Sequence, residues 1–360
     1  MKIRKKGFYA FMNYIFFLTI LMIGISCTIQ NKKSYDLPPT IDPQFAEYPI
    51  KCSIRALEVL DENNVWFAGN KGMFGYTTNG GDSWEIDSIS IDGQPLEFRA
   101  IATASEAVFL LNVGSPAYLL KTIDKAKNWE VVYRDNHPDV FYDCMKFWDD
   151  QNGIAMGDPI DGCLSILLTS DGGNSWRKLD CAELPPTMYG EAAFAASNTN
   201  ISLLENHAWI ATGGAKARIF HSPDRGKSWE VFDTPIQQGG KMTGIFTMDF
   251  YDENRGIIFG GNWENQDENT GNKAITSDEG KTWILLTDGS GPGYRSCVQY
   301  IPNADGRGII AVGIPGISYS SNGGKTWQEI DQTYFYTIRI GPSGKVAWLA
   351  GKNKIAKMIF

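Results

Sequence analysis

One eight-residue pattern recurs along the chain and limits its fold more than any other feature. TTNGGDSW (77–84), TIDKAKNW (122–129), TSDGGNSW (169–176), SPDRGKSW (222–229), TSDEGKTW (276–283) and SSNGGKTW (320–327) are versions of one turn. Their tryptophans, Trp84, Trp129, Trp176, Trp229, Trp283 and Trp327, lie 45, 47, 53, 54 and 44 residues apart. That period is the length of a four-stranded propeller blade. The similarity also extends upstream. IRALEVLDENNVWFAG (54–69) aligns without a gap to YDCMKFWDDQNGIAMG (142–157) and to IFTMDFYDENRGIIFG (245–260). Each unit reads as an alternating strand, a polar Asp/Asn turn and a second strand ending at Gly. A third strand then leads into the recurring turn, and a fourth begins at its Trp.

The turn has a physical account. Asn79, Asp124, Asp171, Asp224, Asp278 and Asn322 can accept backbone N–H groups within it. The Gly two residues later adopts positive φ at little cost. The Ser or Thr hydroxyl bonds back across the hairpin, and the Trp packs into the blade. The second copy has Ala126 for Gly and Asn128 for Ser or Thr, which predicts a degraded turn. The repeated turn is therefore structural rather than catalytic.

The last unit, TIRIGPSGKVAWLAGKNKIAKMIF (337–360), supplies three strands and stops before any such turn. Its missing outer strand is expected from AEYPIKC (46–52), which would pair both chain ends in one blade and leave no open edge. The expected fold is all-β: a seven-bladed β-propeller of four-stranded blades over residues 46–360, closed by the N-terminal strand. The 38 Gly and 11 Trp suit short strands joined by tight turns and wedged by rings.

Residues 1–27, MKIRKKGFYAFMNYIFFLTILMIGISC, have a basic start, an apolar stretch and small residues before Cys27. This is a secretory signal, and its ending resembles a bacterial lipoprotein signal in which Cys27 carries the lipid. Residues 28–45 read as a flexible tether. The expected place is the bacterial cell envelope, lipid-anchored and facing the periplasm or otherwise outside the cytoplasm. The net charge of −8, with no basic run after residue 6, argues against nucleic acid as a partner. Five cysteines follow Cys27, an odd number with no CxxC pair. A Cys163–Cys181 bridge is compatible with an oxidising compartment and is left open. Cys144 and Cys297 read as buried thiols on strands.

The turns fit Ser/Thr-x-Asp-x-Gly-x-Thr/Ser-Trp, the Asp box or BNR repeat shared by sialidases, sortilin-type receptors and other propellers. The longer unit IRALEVLDENNVWFAGNKGMFGYTTNGGDSWEI (54–86) resembles a repeat of the photosystem II assembly/stability factor family, and the resemblance covers about residues 46–360. It implies a seven-bladed propeller, and in the photosynthetic members an assembly factor that binds a partner protein. Nothing in the chain implies photosynthesis. The sequence has no GxGxxG after a strand, no haem motif and no flavin signature, so no cofactor is expected.

In such a ring, inter-blade loops and second-to-third-strand loops share the face opposite the boxes, where a ligand site is expected. Aligning the innermost strands places Arg55, Arg99, Asp143, Glu191, Phe246, Arg295 and Arg339 at one level near the channel mouth. Ring closure then puts the four arginines on adjacent blades. Such an arc suits carboxylate, phosphate or an acidic peptide. The family's inner-strand Arg matches at Arg55, Arg99, Arg295 and Arg339, and is absent from blades three to five. The competing reading is that these charges satisfy one another and backbone carbonyls across a wet channel.

Tyr142, Tyr189, Tyr294, His137 and Met188 fall in loops around the same rim. The longest loops, 157–162 and 260–272, include Glu264, Asp267 and Glu268, whose spacing fits no calcium loop, so no metal is expected. Two function classes stay open. The favoured one is a non-enzymatic, monomeric propeller binding a protein or peptide, acidic if the arc is its site. The alternative is a sialidase-like glycoside hydrolase or glycan binder, with FRAI (98–101) as a faint motif and Asp143 and Glu191 as the acids.

Overall fold

The computed structural model describes residues 37–360. Residues 1–36, with the expected signal segment and Cys27, lie outside the described residues. The repeat folds as its pattern predicts, into antiparallel four-stranded meanders arranged as a β-propeller. The first is built from Gln44–Val59, Val65–Gly69, Met73–Thr77 and Glu85–Ser88 in that order. The second runs Phe98–Ala104, Ala107–Asn112, Ala117–Thr122 and Glu130–Asp135, and the third Tyr142–Phe147, Gly153–Ile160, Cys163–Thr169 and Arg177–Lys178. Among the described residues no helix is long and apolar enough to cross a membrane.

The glycine that the second strands of the first, third and fifth units share has a steric cause. A Cβ on Gly69, Gly157 or Gly260 would stand 2.4, 2.3 or 2.0 Å from the carbonyl oxygen of Ser53, Phe141 or Gly244 on the neighbouring innermost strand. At that point the innermost strand bulges, with register shifts between Ile54 and Ala56, Tyr142 and Cys144, and Ile245 and Thr247. The bulge brings the two backbones too close for any side chain.

The number of separate sheets differs from expectation. Hydrogen bonding gives six sheets of four or more strands, where seven separate blades were predicted. The reason lies in two long strands, Gln44–Val59 and Val346–Ile359. Residues Gln44–Pro49 pair with Lys354–Ile359, whereas Ile54–Val59 pair with Val65–Gly69. The last unit and the first are therefore one continuous six-element sheet. The N-terminal strand also begins earlier than predicted, at Gln44. Part of the expected tether is docked as well. Leu37 packs against the cluster around Tyr319 and Phe335, the Tyr319 hydroxyl donates to the Pro38 carbonyl at 2.8 Å, and Ile41 exchanges two bonds with the Gln328 amide.

In the first box, the Thr77 hydroxyl donates to Asn79 Oδ1 at 2.9 Å and accepts from the Gly81 amide at 3.0 Å, while Asn79 Oδ1 accepts the Ser83 amide. The later hydroxyl bonds inside the turn rather than across the hairpin, as Ser175 Oγ donating to Asp171 Oδ2 illustrates. These bonds hold the Asp124 and Asp171 carboxyls well below the usual range, at about 2. For Asp124 the Asn128 side chain is the largest cause. For Asp171 the lowering bonds from Ser175 and Thr169 outweigh the effect of burial. The second box is not degraded. Asn128 substitutes for the hydroxyl, donating from Nδ2 to Asp124 Oδ2 at 2.7 Å. Ala126, however, sits at φ +64°, where an L side chain is strained. Ala126→Gly should raise stability by about 0.5–1 kcal/mol, read as a higher urea midpoint with an unchanged slope.

Candidate functional site

The centre of the molecule is filled by one segment that sequence alignment had placed on a strand. The innermost strand of the fourth meander is Ile201–Leu204, not the stretch around Glu191. Ahead of it, FAASNTN (194–200) runs into the middle of the ring, and every residue from Ala195 to Asn200 is buried. Its bonds identify its place. Asn198 Oδ1 accepts the Met145 amide, and its Nδ2 donates to the Ile101 carbonyl. Thr199 Oγ1 meets Thr247 Oγ1 at 2.8 Å, and Ser197 Oγ donates to the Ser296 carbonyl at 2.6 Å. The Thr337 hydroxyl donates to the Ser197 carbonyl. A seven-residue stretch can reach innermost strands all around a ring only if it lies on the axis. It is a plug.

The arginines close on this plug. Arg99 Nη1 donates to the Ala195 carbonyl at 3.0 Å, Arg55 Nη1 to the Ala196 carbonyl at 3.1 Å, and Arg339 Nη2 to the Ser197 and Asn198 carbonyls at 3.0 Å. The competing reading of these charges, satisfaction by backbone carbonyls, thus describes these three. The arc of four at one level is corrected by strand register. Ala56 pairs with Ala68 just before Gly69, as Cys297 pairs with Val312 before Gly313 and Thr337 with Ala350 before Gly351. The counterparts of Arg55 in the last two units are therefore Ser296 and Tyr336. Arg295 is displaced by one residue and so points into its own sheet. There it is buried, donating to Ser318 Oγ at 2.6 Å and to Glu329. Arg339 sits deeper in the channel.

Arg55 and Arg99 remain half-exposed at the rim. Arg55 lies over the Tyr336 ring at 3.9 Å, a cation–π contact. Burial and the neighbouring Arg99 charge lower its pKa. Arg99 is forked onto Glu97.

The three tyrosines separate. Tyr189 is fully exposed beside exposed Met188, on the connection that leads into the plug. Tyr142 is buried and reaches Asp135. Tyr294 is buried edge-on to Phe246, which stacks on Phe194 at 3.8 Å. His137 is half-buried and accepts the Asp139 amide.

The two acids considered for catalysis are closed off. Glu191 is buried and forms a two-oxygen pair with Arg218, with Thr212 Oγ1 and the Met188 amide also donating to it. Asp143 is fully buried, and neither oxygen has a hydrogen-bond partner of normal geometry. Burial, then the charge of Asp158, drive its pKa well above the usual value, against the weaker pull of Arg99 and the Ala195 amide. A carboxyl fully buried against the plug cannot serve a glycoside at the rim. Below the plug the channel carries balanced charges: Lys146 and Arg339 face Glu58 and Asp249.

Sequence reasoning missed the plug. Its signal was the 53-residue gap between Trp176 and Trp229 together with the polar run Ser197–Asn200. The loop acids Glu264, Asp267 and Glu268 are not among the groups of three metal-ligating side chains found in the described residues.

Residues 43–139 match the sequence profile of the photosynthesis system II assembly factor YCF48. The chloroplastic photosystem II stability/assembly factor HCF136 of Oryza sativa subsp. japonica is 25% identical over 279 residues, which are 74% of this chain and 55% of that protein. The chain resembles the photosystem II assembly-factor propellers. It spans about half the length of the curated relative it matches. Among solved structures, "YCF48 bound to D1 peptide" superposes with a TM-score of 0.64 at 16% identity, covering 91% of this chain and 99% of that one. YCF48 from Cyanidioschyzon merolae gives 0.62 at 14%, covering 88% and 98%. The WD40 propeller domain of Doa1 gives 0.61 at 12%, covering 87% and 95%. At such identities these structures establish the propeller fold alone. The assembly-factor likeness rests on the sequence matches.

Proposed function

We propose that this protein is a non-enzymatic propeller that binds an anionic peptide segment of a partner protein on the rim around its plug. The observation that carries the reading is the pair Arg55 and Arg99, half-exposed over a sealed channel, with exposed Met188 and Tyr189 on the connection that enters the plug. Because the channel is blocked, a peptide would lie across the rim rather than thread through it. The two guanidiniums would supply charge-assisted bonds, and Tyr189 a rigid contact ring. The YCF48 structure described as bound to a D1 peptide supports the class of ligand. The closed-off positions of Asp143 and Glu191 weigh against the glycosidase alternative.

The reading includes an extracytoplasmic, lipid-anchored monomer with Cys27 as the anchor. In its support, Cys163 and Cys181 are bridged, with Cα atoms 5.4 Å apart, as an oxidising compartment permits. It also includes a ring that counts seven blades, with the N-terminal strand as the outer strand of the last. The pairing of Gln44–Pro49 with Lys354–Ile359 supports that closure.

The test is partner recovery from envelope extract, followed by titration of the recovered segment as a synthetic peptide. Arg55→Ala with Arg99→Ala should weaken peptide binding at least tenfold, while Arg307→Ala, elsewhere on the chain, serves as a charge control. Unchanged affinity in the double variant would remove the rim as the site.

A further inference from the structure

Two of the three histidines of the chain meet on one sheet face. Trp209, on the strand His207–Ala211, pairs directly with His221 on Arg218–Ser222. His207, two residues before Trp209, is therefore a diagonal neighbour of His221 on the same face. His207 Nδ1 and His221 Nε2 stand 2.8 Å apart. The indole of Trp209 lies nearly parallel to both imidazoles, and Phe250 stacks on it at 3.8 Å, which holds the layer in place.

Glu279 reaches this pair from the next box turn, at a position occupied by Gly in three other copies. Its backbone is held at φ +66°, and its carbonyl accepts Trp209 Nε1 at 2.7 Å. Ligand atoms of His207, His221 and Glu279 all lie within 4.8 Å of one another. On the far side of His207, Glu253 Oε1 stands 4.0 Å from Nε2. His221 is buried, whereas the side chains of His207 and Glu253 are 15% and 48% exposed, so the cluster has an open side.

We propose that His207, His221 and Glu279 bind a divalent transition-metal cation of the zinc class. Two imidazole nitrogens and one carboxylate, with a fourth position open to water, form a donor set that zinc accepts and that calcium or magnesium, which prefer oxygen ligands, does not favour. With Zn–N bonds of about 2.0–2.1 Å in a tetrahedral site, the two nitrogens would stand about 3.3 Å apart. The pair need open by only about half an ångström. Without metal, a proton lies between the nitrogens. With metal bound there, His207 carries its proton on Nε2, facing the Glu253 carboxylate, the outer-shell arrangement that orients metal-bound histidines. The cation would join the fourth meander to the box turn of the fifth, independently of any peptide at the rim.

The experiment uses the full chain without an affinity tag, stripped with chelator and titrated with Zn²⁺ by calorimetry. A parallel titration with Co²⁺ is read by visible absorption. One equivalent of Zn²⁺ should bind, Co²⁺ should give the absorption of a low-coordinate nitrogen/oxygen site, and the melting temperature should rise with metal. His207→Gln should abolish the one-to-one phase, and Glu279→Gln and Glu253→Gln should each weaken it tenfold or more. Circular dichroism of the stripped variants confirms that each is folded. A wild-type chain with no saturable phase would overturn the site, as would a folded His207→Gln variant that binds Zn²⁺ like the wild type.

Discussion

Arg218→Met is expected to destabilise the propeller by about 3–5 kcal/mol. Arg218 and Glu191 form a pair whose side chains are 11% and 0% exposed. Removing the guanidinium leaves a carboxylate in a site that water does not reach, with only Thr212 Oγ1 and the Met188 amide to stabilise it. That loss exceeds the removal of an exposed ion pair several-fold, because desolvation is no longer compensated. Arg218 also donates to the Pro186 carbonyl, so the connection carrying Met188 and Tyr189 should loosen too. Urea unfolding measures the effect. Combining Arg218→Met with Glu191→Gln should recover part of the loss, since the uncompensated charge is then gone. A loss below about 1 kcal/mol would mean that solvent enters the pair and that Glu191 is available for other roles.

Asp143→Asn should have the opposite sign, raising stability at pH 7. In the unfolded chain this carboxyl ionises near 3.8, whereas burial and Asp158 raise its pKa well above that in the folded protein. A raised carboxyl pKa means that the folded state binds the proton more tightly. Its penalty therefore grows as pH rises above 3.8 and disappears below it. Asp158 and Asp249, both pushed up to about 6 chiefly by burial, act in the same sense between pH 4 and 6. The box carboxyls act oppositely. Asp124 and Asp171, lowered to about 2, contribute stability above pH 4 that is lost as pH falls through 2. Wild-type stability should thus peak near pH 4, and the gain from Asp143→Asn should vanish below 3.8. A gain independent of pH, or a loss at pH 7, would contradict the buried, unpaired state of this carboxyl. Because the carboxyl has no exposed surface, peptide binding at the rim should be unchanged in this variant.

The legible part of the fold was its local part. The box explains itself within eight residues: Asn79 and Thr77 bond only to groups inside the turn. The glycines at 69, 157 and 260 align by eye because each answers the same backbone approach. The candidate site was less legible. Arg55 and Asp143 share a level because their units align without a gap and share the bulge, and Arg99 occupies the same bulge position in a unit one residue shorter. Arg295, Arg339 and Glu191 do not share that level. In a strand, a slip of one residue turns a side chain to the other face, and no motif in the last two units marks where the bulge ends. Glu191 failed for a different reason. The insertion before Ile201 moved the innermost strand along the chain, and the polar run Ser197–Asn200, its one compositional sign, does not say that the segment crosses an axis.

By itself, then, the sequence determined the repeated unit: its period, its turn chemistry and its antiparallel meander, all of which depend on groups close together in the chain. Tertiary structure decided what the ring does with its centre. The bonds from Arg55, Arg99 and Arg339 to the plug span 96 to 142 residues, and they exist only after separate units have been brought around a common axis. The same closure left two of the expected four arginines at the surface, buried both candidate acids, and set two histidines beside a glutamate from the next unit. Those juxtapositions depend on strand register and ring geometry, which the repeat pattern does not encode residue by residue.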